Sequence, residues 1–177
     1  MEFIELPVTG AYLVRLEPIA DERGFFARAF CTEEFAARGL CPHFVQTNLA
    51  HTDRAGTIRG LHYQTAPYEE VKLVRCIRGA IWAVCVDLRG DSPTYGQWAG
   101  AELTAENRDM LYVPAGCAHG YQTLGDDTEV LYSVSAPYAP GHEGGIRWDD
   151  PAFGIEWKYA GEVILSDKDR DWEDYQL

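Results

Sequence analysis

The chain has 177 residues, 46% of them hydrophobic and 12% aromatic, and carries 28 Asp and Glu against 15 Lys and Arg, for a net charge of -13. That apolar content suits one domain with a sizeable core over residues 1–177 and excludes a disordered or low-complexity chain. The acidic balance argues against nucleic acid as a partner, because proteins that track phosphate backbones present a basic face.

Met1-Glu2-Phe3-Ile4-Glu5-Leu6 lacks a basic segment and a long apolar stretch, and no later run reaches membrane-spanning length, so a cytoplasmic protein with no membrane partner is expected. A short helix is predicted over 33–38, with Thr32 as N-cap, acidic residues in its first turn and Gly39 past its end. Residues 57–64 read as a strand whose alternation sends Arg59, Leu61 and Tyr63 to one face and Ile58, Gly60, His62 and Gln64 to the other. The runs 71–77 and 80–87, broken only by Arg78-Gly79, read as a hairpin. Further strands are predicted over 97–103, 109–113, 120–124 and 129–136, separated by pieces such as Gly90-Asp91-Ser92-Pro93 and Gly125-Asp126-Asp127. The charged tail 166–177 reads as a surface turn or short helix. The pattern is all-β, a sandwich or closed barrel, with no internal repeat and no linker. Cys31, Cys41, Cys76, Cys85 and Cys117 form no CxxC pair and are odd in number, which reads as reduced, buried thiols.

Several residues could carry chemistry. His62, set among bulky neighbours, suits a general base tuned towards neutral pH, or a core histidine satisfied by a carbonyl. Tyr132 alternates with Val130 and Val134; it either packs in the core or faces a cavity and delivers a proton from the side opposite a histidine. Lys72 is expensive to bury unless something anionic meets it, and an enolate oxygen would do so. Arg23, Arg59, Lys72, Arg75 and Lys168 could converge on a diphosphate. Pro114-x-Gly116-x-x-His119 resembles the second cupin motif, in which the histidine binds metal. The first cupin motif needs a His-x-His pair, and here Gln64 stands at that spacing from His62, so a set of His62, Glu70 and His119 lacks one ligand.

Taken together, Asp21-Glu22-Arg23-Gly24-Phe25-Phe26, Val45-Gln46-Thr47-Asn48, Arg59-Gly60-Leu61-His62-Tyr63-Gln64, Lys72-Leu73-Val74, Asp87-Leu88-Arg89, Ala118-His119-Gly120 and Ser166-Asp167-Lys168-Asp169 resemble the dTDP-4-dehydrorhamnose 3,5-epimerase family, in order and spacing over nearly the whole chain. The resemblance implies a double-stranded β-helix (jelly roll) of the cupin type with a few short helices. It also implies a homodimer whose N-terminal segment contributes to the partner's site, no metal and no cofactor. By the same resemblance, His62 matches the base, Asp169 the carboxylate that orients it, Tyr132 the acid on the opposite face and Lys72 the group that stabilises the enolate. Arg23, Gln46, Asn48, Arg59, Glu143 and Lys168 match positions that hold the nucleotide diphosphate and sugar. Phe26 and Tyr138 match aromatic lining positions, and His119 a histidine near the sugar.

Three positions depart from that pattern. Arg28 stands where a glutamate commonly helps hold the thymine, so another nucleotide is open among dTDP, GDP, CDP and UDP. Glu70 replaces a glutamine just before the lysine, and Ala83 replaces an aspartate. These changes leave open which of C3 and C5 is inverted. The expected activity is epimerisation of a nucleotide-linked 4-keto-6-deoxy or related 4-keto sugar in surface-polysaccharide or deoxysugar biosynthesis. The alternatives are a metal-dependent cupin enzyme and a non-catalytic sugar-nucleotide binder.

Overall fold

A computed structural model describes residues 1–177. In chain order its elements are β1 (Glu2–Glu5), β2 (Tyr12–Arg15), β3 (Ile19–Asp21), β4 (Gly24–Phe26), α1 (Thr32–Ala36), β5 (Gln46–Thr52), β6 (Ile58–Gln64), β7 (Lys72–Arg78), β8 (Ala80–Asp87), β9 (Trp98–Thr104), β10 (Met110–Val113), β11 (Cys117–Thr123), β12 (Thr128–Val134), β13 (Glu143–Gly145) and α2 (Asp167–Arg170). Six strands form one antiparallel sheet in the order β1-β2-β10-β7-β12-β5, and five form a second in the order β13-β6-β11-β8-β9. Successive strands from β5 to β13 pass from one sheet to the other, except for the β8–β9 pair, which gives the jelly-roll winding of a cupin-like double-stranded β-helix.

Alternation on the facing strands fills the space between the sheets. Val74, Cys76, Leu111, Val113 and Val130 from the first sheet meet Ile81, Ala83, Cys85, Ala99, Leu103 and Cys117 from the second in one buried cluster. Each fully buried branched side chain contributes roughly 1.5–3 kcal/mol. Outside the six-stranded sheet, α1 inserts Phe35, fully buried, against Phe3, Phe30, Phe44 and Tyr112. Outside the five-stranded sheet, the chain after β13 covers Leu61, Val84 and Val86 with Ile146, Phe153, Trp157 and Tyr175.

Four sequence expectations change here. The Arg78-Gly79 hairpin is a crossover: β7 pairs with β10 and β12, whereas β8 pairs with β9 and β11. Gly79, at φ +75°, makes the step against Thr128, where a Cβ would lie 2.6 Å from Oγ1. A turn signal reports a chain reversal and does not say which sheet receives the next strand. The α1 N-cap is Cys31 rather than Thr32, and no side chain caps the first turn. The tail does not merely lie on the surface: Tyr175 packs on Phe153 and its N–H donates to Asp150 Oδ2 at 2.7 Å. All five cysteines are free, but only Cys76, Cys85 and Cys117 are buried; Cys31 and Cys41 are half-buried.

Candidate active site

The strict alternation expected of β6 also fails, and the failure builds the site. His62 is paired with His119 of β11 while Arg59 is paired with Tyr121, so β6 holds one extra residue between the two pairs. Gly60 lies in that interval at φ +109°, and a Cβ there would come within 2.7 Å of His119 O and 2.8 Å of Gly120 Cα. A bulged glycine shifts the pleat by one residue. Arg59 and His62, predicted on opposite faces, therefore line the same cavity, while Leu61 turns into the core beneath Ile146.

That cavity, of about 460 Å³, is lined by Arg59, His62, Lys72, His119, Tyr121, Tyr132, Lys168 and Asp169 together with residues 164–166. A second chamber of about 340 Å³ shares His62, Lys72 and Tyr132 and adds Gln46, Asn48, Tyr63, Gln64, Glu70, Tyr138 and Glu143. All the expected site residues except Arg23, Phe26, Arg28 and Arg75 thus meet at two joined chambers; Arg75 of β7, expected among the diphosphate-binding cations, lines neither. Arg23 sits at the turn of the β3–β4 hairpin, paired with Asp21 at 2.5 Å. Phe26 and Arg28 line a separate cavity near Met1, in which Arg28 Nη1 reaches Glu34 Oε1 at 2.8 Å. Ala83 contacts no ligand space; it is fully buried between Tyr121 and Ala101 of the neighbouring strands.

The two walls carry different chemistry. On the five-stranded wall, His62 Nε2 hydrogen-bonds Asp169 Oδ1 at 2.6 Å, and the Gly60 N–H donates to Asp169 Oδ2 at 3.2 Å. Ser166 caps α2 by accepting the Asp169 N–H at 3.2 Å, which fixes the helix that presents the carboxylate. The sequence carries a readable signal for this in Ser166-x-x-Asp169, a helix-start signature. Burial opposes ionisation of Asp169, yet the hydrogen bonds from His62 and Gly60 and the His62 charge outweigh it and hold the carboxyl below its usual range. His119, buried on the same wall, is driven well below the usual histidine value by burial and by the charges of Lys72 and His62. It is therefore neutral, and its Nε2 has no partner in the protein.

On the six-stranded wall, Tyr132 of β12 and Lys72 of β7 are neighbours through the register Val134 to Lys72. Burial raises the Tyr132 phenol above its ordinary value, the Glu70 charge adds to this, and Arg59 opposes it. Lys72, 7% exposed, pairs with Glu70 Oε1 at 3.1 Å and donates to His62 O at 3.3 Å. Nearer the mouth, Lys168 Nζ meets Glu143 Oε1 at 3.0 Å, and Arg59 is anchored to Thr52 Oγ1 and His51 O, each at 3.0 Å. No group of three His, Cys, Asp or Glu side chains converges as a metal site would require, and Glu70 is engaged by Lys72 and Gln64. Gln64 is a structural hub, tying Tyr68, Pro137 and Ala139 together, a role that its position two residues after His62 does not announce.

The arrangement supplies a histidine oriented by a carboxylate on one side of a cavity, a protonated tyrosine and an ammonium on the other, and basic groups at the mouth. The sequence model for dTDP-4-dehydrorhamnose 3,5-epimerase matches residues 5–176. A dTDP-4-dehydrorhamnose 3,5-epimerase of Sinorhizobium fredii is 45% identical over 169 residues, spanning 96% of this chain and 87% of that protein. The crystal structure of the Elizabethkingia anophelis dTDP-4-dehydrorhamnose 3,5-epimerase superposes with a TM-score of 0.94 at 36% identity, covering 99% of each chain. That of ChmJ, a 3'-monoepimerase from Streptomyces bikiniensis in complex with dTDP-quinovose, gives 0.84 at 36% identity, over 93% of this chain and 83% of that one. On the match over nearly its full length, the chain belongs to the dTDP-4-dehydrorhamnose 3,5-epimerase family of isomerases.

Proposed function

We propose that this chain, as one domain, epimerises a dTDP-linked 4-keto-6-deoxy sugar at C3, C5 or both by proton transfer between two faces of the sugar. The observation that carries the reading is the placement of His62 on one sheet, with Asp169 held against it by α2, and of Tyr132 and Lys72 on the other sheet, around shared chambers. A 4-keto group acidifies the neighbouring C–H bonds. With Nε2 committed to Asp169, His62 has Nδ1 free to take such a proton. The pair electrons then move onto the ketone oxygen, where the Lys72 ammonium and the neutral His119 N–H stabilise the enolate; preorganised donors in a water-poor site are worth most at this point. Tyr132 returns a proton from the opposite face and inverts the centre. The carbonyl itself is the electron sink, so the chemistry calls for neither a metal nor a redox cofactor.

Arg59 and Lys168 suit the diphosphate, and Gln46, Asn48, Tyr138 and Glu143 line the second chamber for the sugar or nucleoside. The β3–β4 hairpin exposes Ile19 and Phe26 at 72% each and holds Arg23 at its turn. An apolar hairpin of this kind fits a homodimer in which it delivers Arg23, Phe26 and Arg28 to the partner's chamber. No helix is long and apolar enough to cross a membrane, and five free thiols fit a cytoplasmic setting. Incubating wild-type protein with a dTDP-4-keto-6-deoxy sugar in deuterated water tests the reading. Deuterium should enter at C3, C5 or both with inversion, and its absence from every keto sugar nucleotide tried would reject the proposal.

A further inference from the structure

Glu70 lies on the chain between β6 and β7, with its side chain only 10% exposed, at the edge of the second chamber. Its two oxygens do different things. Oε2 accepts from Gln64 Nε2 at 3.2 Å, and Oε1 faces Lys72 Nζ at 3.1 Å. Gln64 is itself fixed: the two Nε2 hydrogens are shared among Glu70 Oε2, Tyr68 O at 2.9 Å and Pro137 O at 3.2 Å, and its Oε1 accepts the Ala139 N–H at 2.7 Å. The carboxylate is thus held on one oxygen by a side chain tied to two loops, and it presents the other to the lysine. No other carboxylate lies within ion-pair distance of Lys72.

We infer that Glu70 is a positioning residue that fixes the Lys72 ammonium at the junction of the two chambers. The inference rests on the epimerase reading above. A free lysine samples many rotamers, whereas an ammonium held between Glu70 and His62 O stands in one place, where an oxyanion formed beside His62 would meet it. The groups that face this junction are His62 from β6, His119 from β11 and Tyr132 from β12, with Arg59 also acting on Tyr132. His119 is neutral, so Glu70 offsets the lysine charge and also disfavours the tyrosinate.

In this chain, where Gln64 Nε2 and Lys72 Nζ both present donors to position 70, a glutamine does not reproduce the contacts of the carboxylate. It has a single acceptor oxygen; turned to Lys72 it sets its NH2 against the Gln64 donor, and turned to Gln64 it sets its NH2 against the ammonium. Steady-state kinetics and pH profiles of Glu70→Gln and Glu70→Asp, on a dTDP-4-keto-6-deoxy sugar, test the role. In Glu70→Gln, kcat should fall about tenfold with KM within about twofold, as expected when a charge-assisted contact acting on the transition state is lost. The alkaline limb of its kcat/KM profile should also move to lower pH, because the Glu70 charge, which adds to burial in raising the Tyr132 phenol, is gone. Glu70→Asp keeps that charge at a shorter reach, so its kcat should fall while the limb stays in place. A merely structural role would change thermal stability without moving the limb. If Glu70→Gln fails to fold, Glu70→Asp decides alone: a lowered kcat supports the role and a wild-type kcat overturns it. A wild-type enzyme that turns over while a folded Glu70→Gln matches it in kcat and limb overturns the role and leaves the epimerase reading intact. A wild-type enzyme that neither turns over nor exchanges deuterium overturns the epimerase reading.

Discussion

His62 Nε2 stands 2.6 Å from Asp169 Oδ1, although 107 residues separate them in the chain. The tail closes that distance: Ser166 caps the short helix, and the bulged Gly60 turns its N–H onto the same carboxylate. Asp169→Asn keeps the size of the side chain but removes the charge and half of its acceptors. Because the change upsets both the ring tautomer and the stabilisation of a protonated His62, kcat should fall roughly 100-fold to 10,000-fold. Affinity for dTDP, measured by calorimetry, should stay within about threefold, since Asp169 is engaged by His62 and Gly60. A variant that keeps its rate would show that the pair is not part of the chemistry.

Tyr132→Phe separates abstraction from inversion. With the base still in place, the variant should take up deuterium from solvent at the reacting carbon yet return it on the side from which the proton left. NMR of the recovered sugar nucleotide reads both outcomes, and inverted product at the wild-type rate would remove Tyr132 from the role of acid.

The pH profile should report the same tyrosine. Burial, helped by the Glu70 charge, raises the phenol above its ordinary value of about 10. A group that must be protonated works below its pKa, so kcat/KM should hold to a pH above about 10 and fall only beyond it. Asp169, held below its usual range, stays ionised through neutral and mildly acidic pH and sets no limit there. An alkaline limb well below 10 would contradict this assignment.

Away from the chambers, Asp87 anchors the β8–β9 turn. It is buried and accepts from Arg89 Nε at 2.8 Å, Arg89 Nη2 at 2.7 Å, Ser92 Oγ at 2.5 Å and Thr94 Oγ1 at 2.7 Å. Burial opposes its ionisation, but these donors outweigh burial and hold it far below the usual carboxylate range. A depressed folded pKa gives stability that is present above the unfolded value of about 3.9 and is lost as pH falls through the folded value. Asp87→Asn should cost about 2–3 kcal/mol at pH 7, short of a fully enclosed pair because Arg89 is 26% exposed. By calorimetry that is a Tm lower by about 4–12 °C. The gap should narrow below about pH 3.

The strands were legible wherever β-branched and aromatic residues alternate between turn residues, as in Ala80–Asp87 and Thr128–Val134. Short edge and hairpin strands such as Glu2–Glu5 and Ile19–Asp21 were not, because their residues are largely exposed or half-buried and carry little periodicity. Long-range pairing was also hidden. Arg78-Gly79 announces a reversal, but the change of sheet there is set by long-range pairing, β7 with β10 and β12 and β8 with β9 and β11. The site residues were legible through family spacing, yet their geometry was not: alternation placed Arg59 across from His62, and the Gly60 bulge brings them together. The Glu70–Lys72 pair depends on Gln64 holding two loops, a relation that spacing along the chain does not encode.

The central claim is that His62 removes the proton beside the ketone. Its most direct test compares the rate of solvent-deuterium entry into a dTDP-4-keto-6-deoxy sugar for wild type and His62→Asn, with dTDP binding measured in parallel. The variant should bind dTDP within a few-fold of wild type and lose exchange at every carbon. Exchange at the wild-type rate in a folded His62→Asn protein would contradict it.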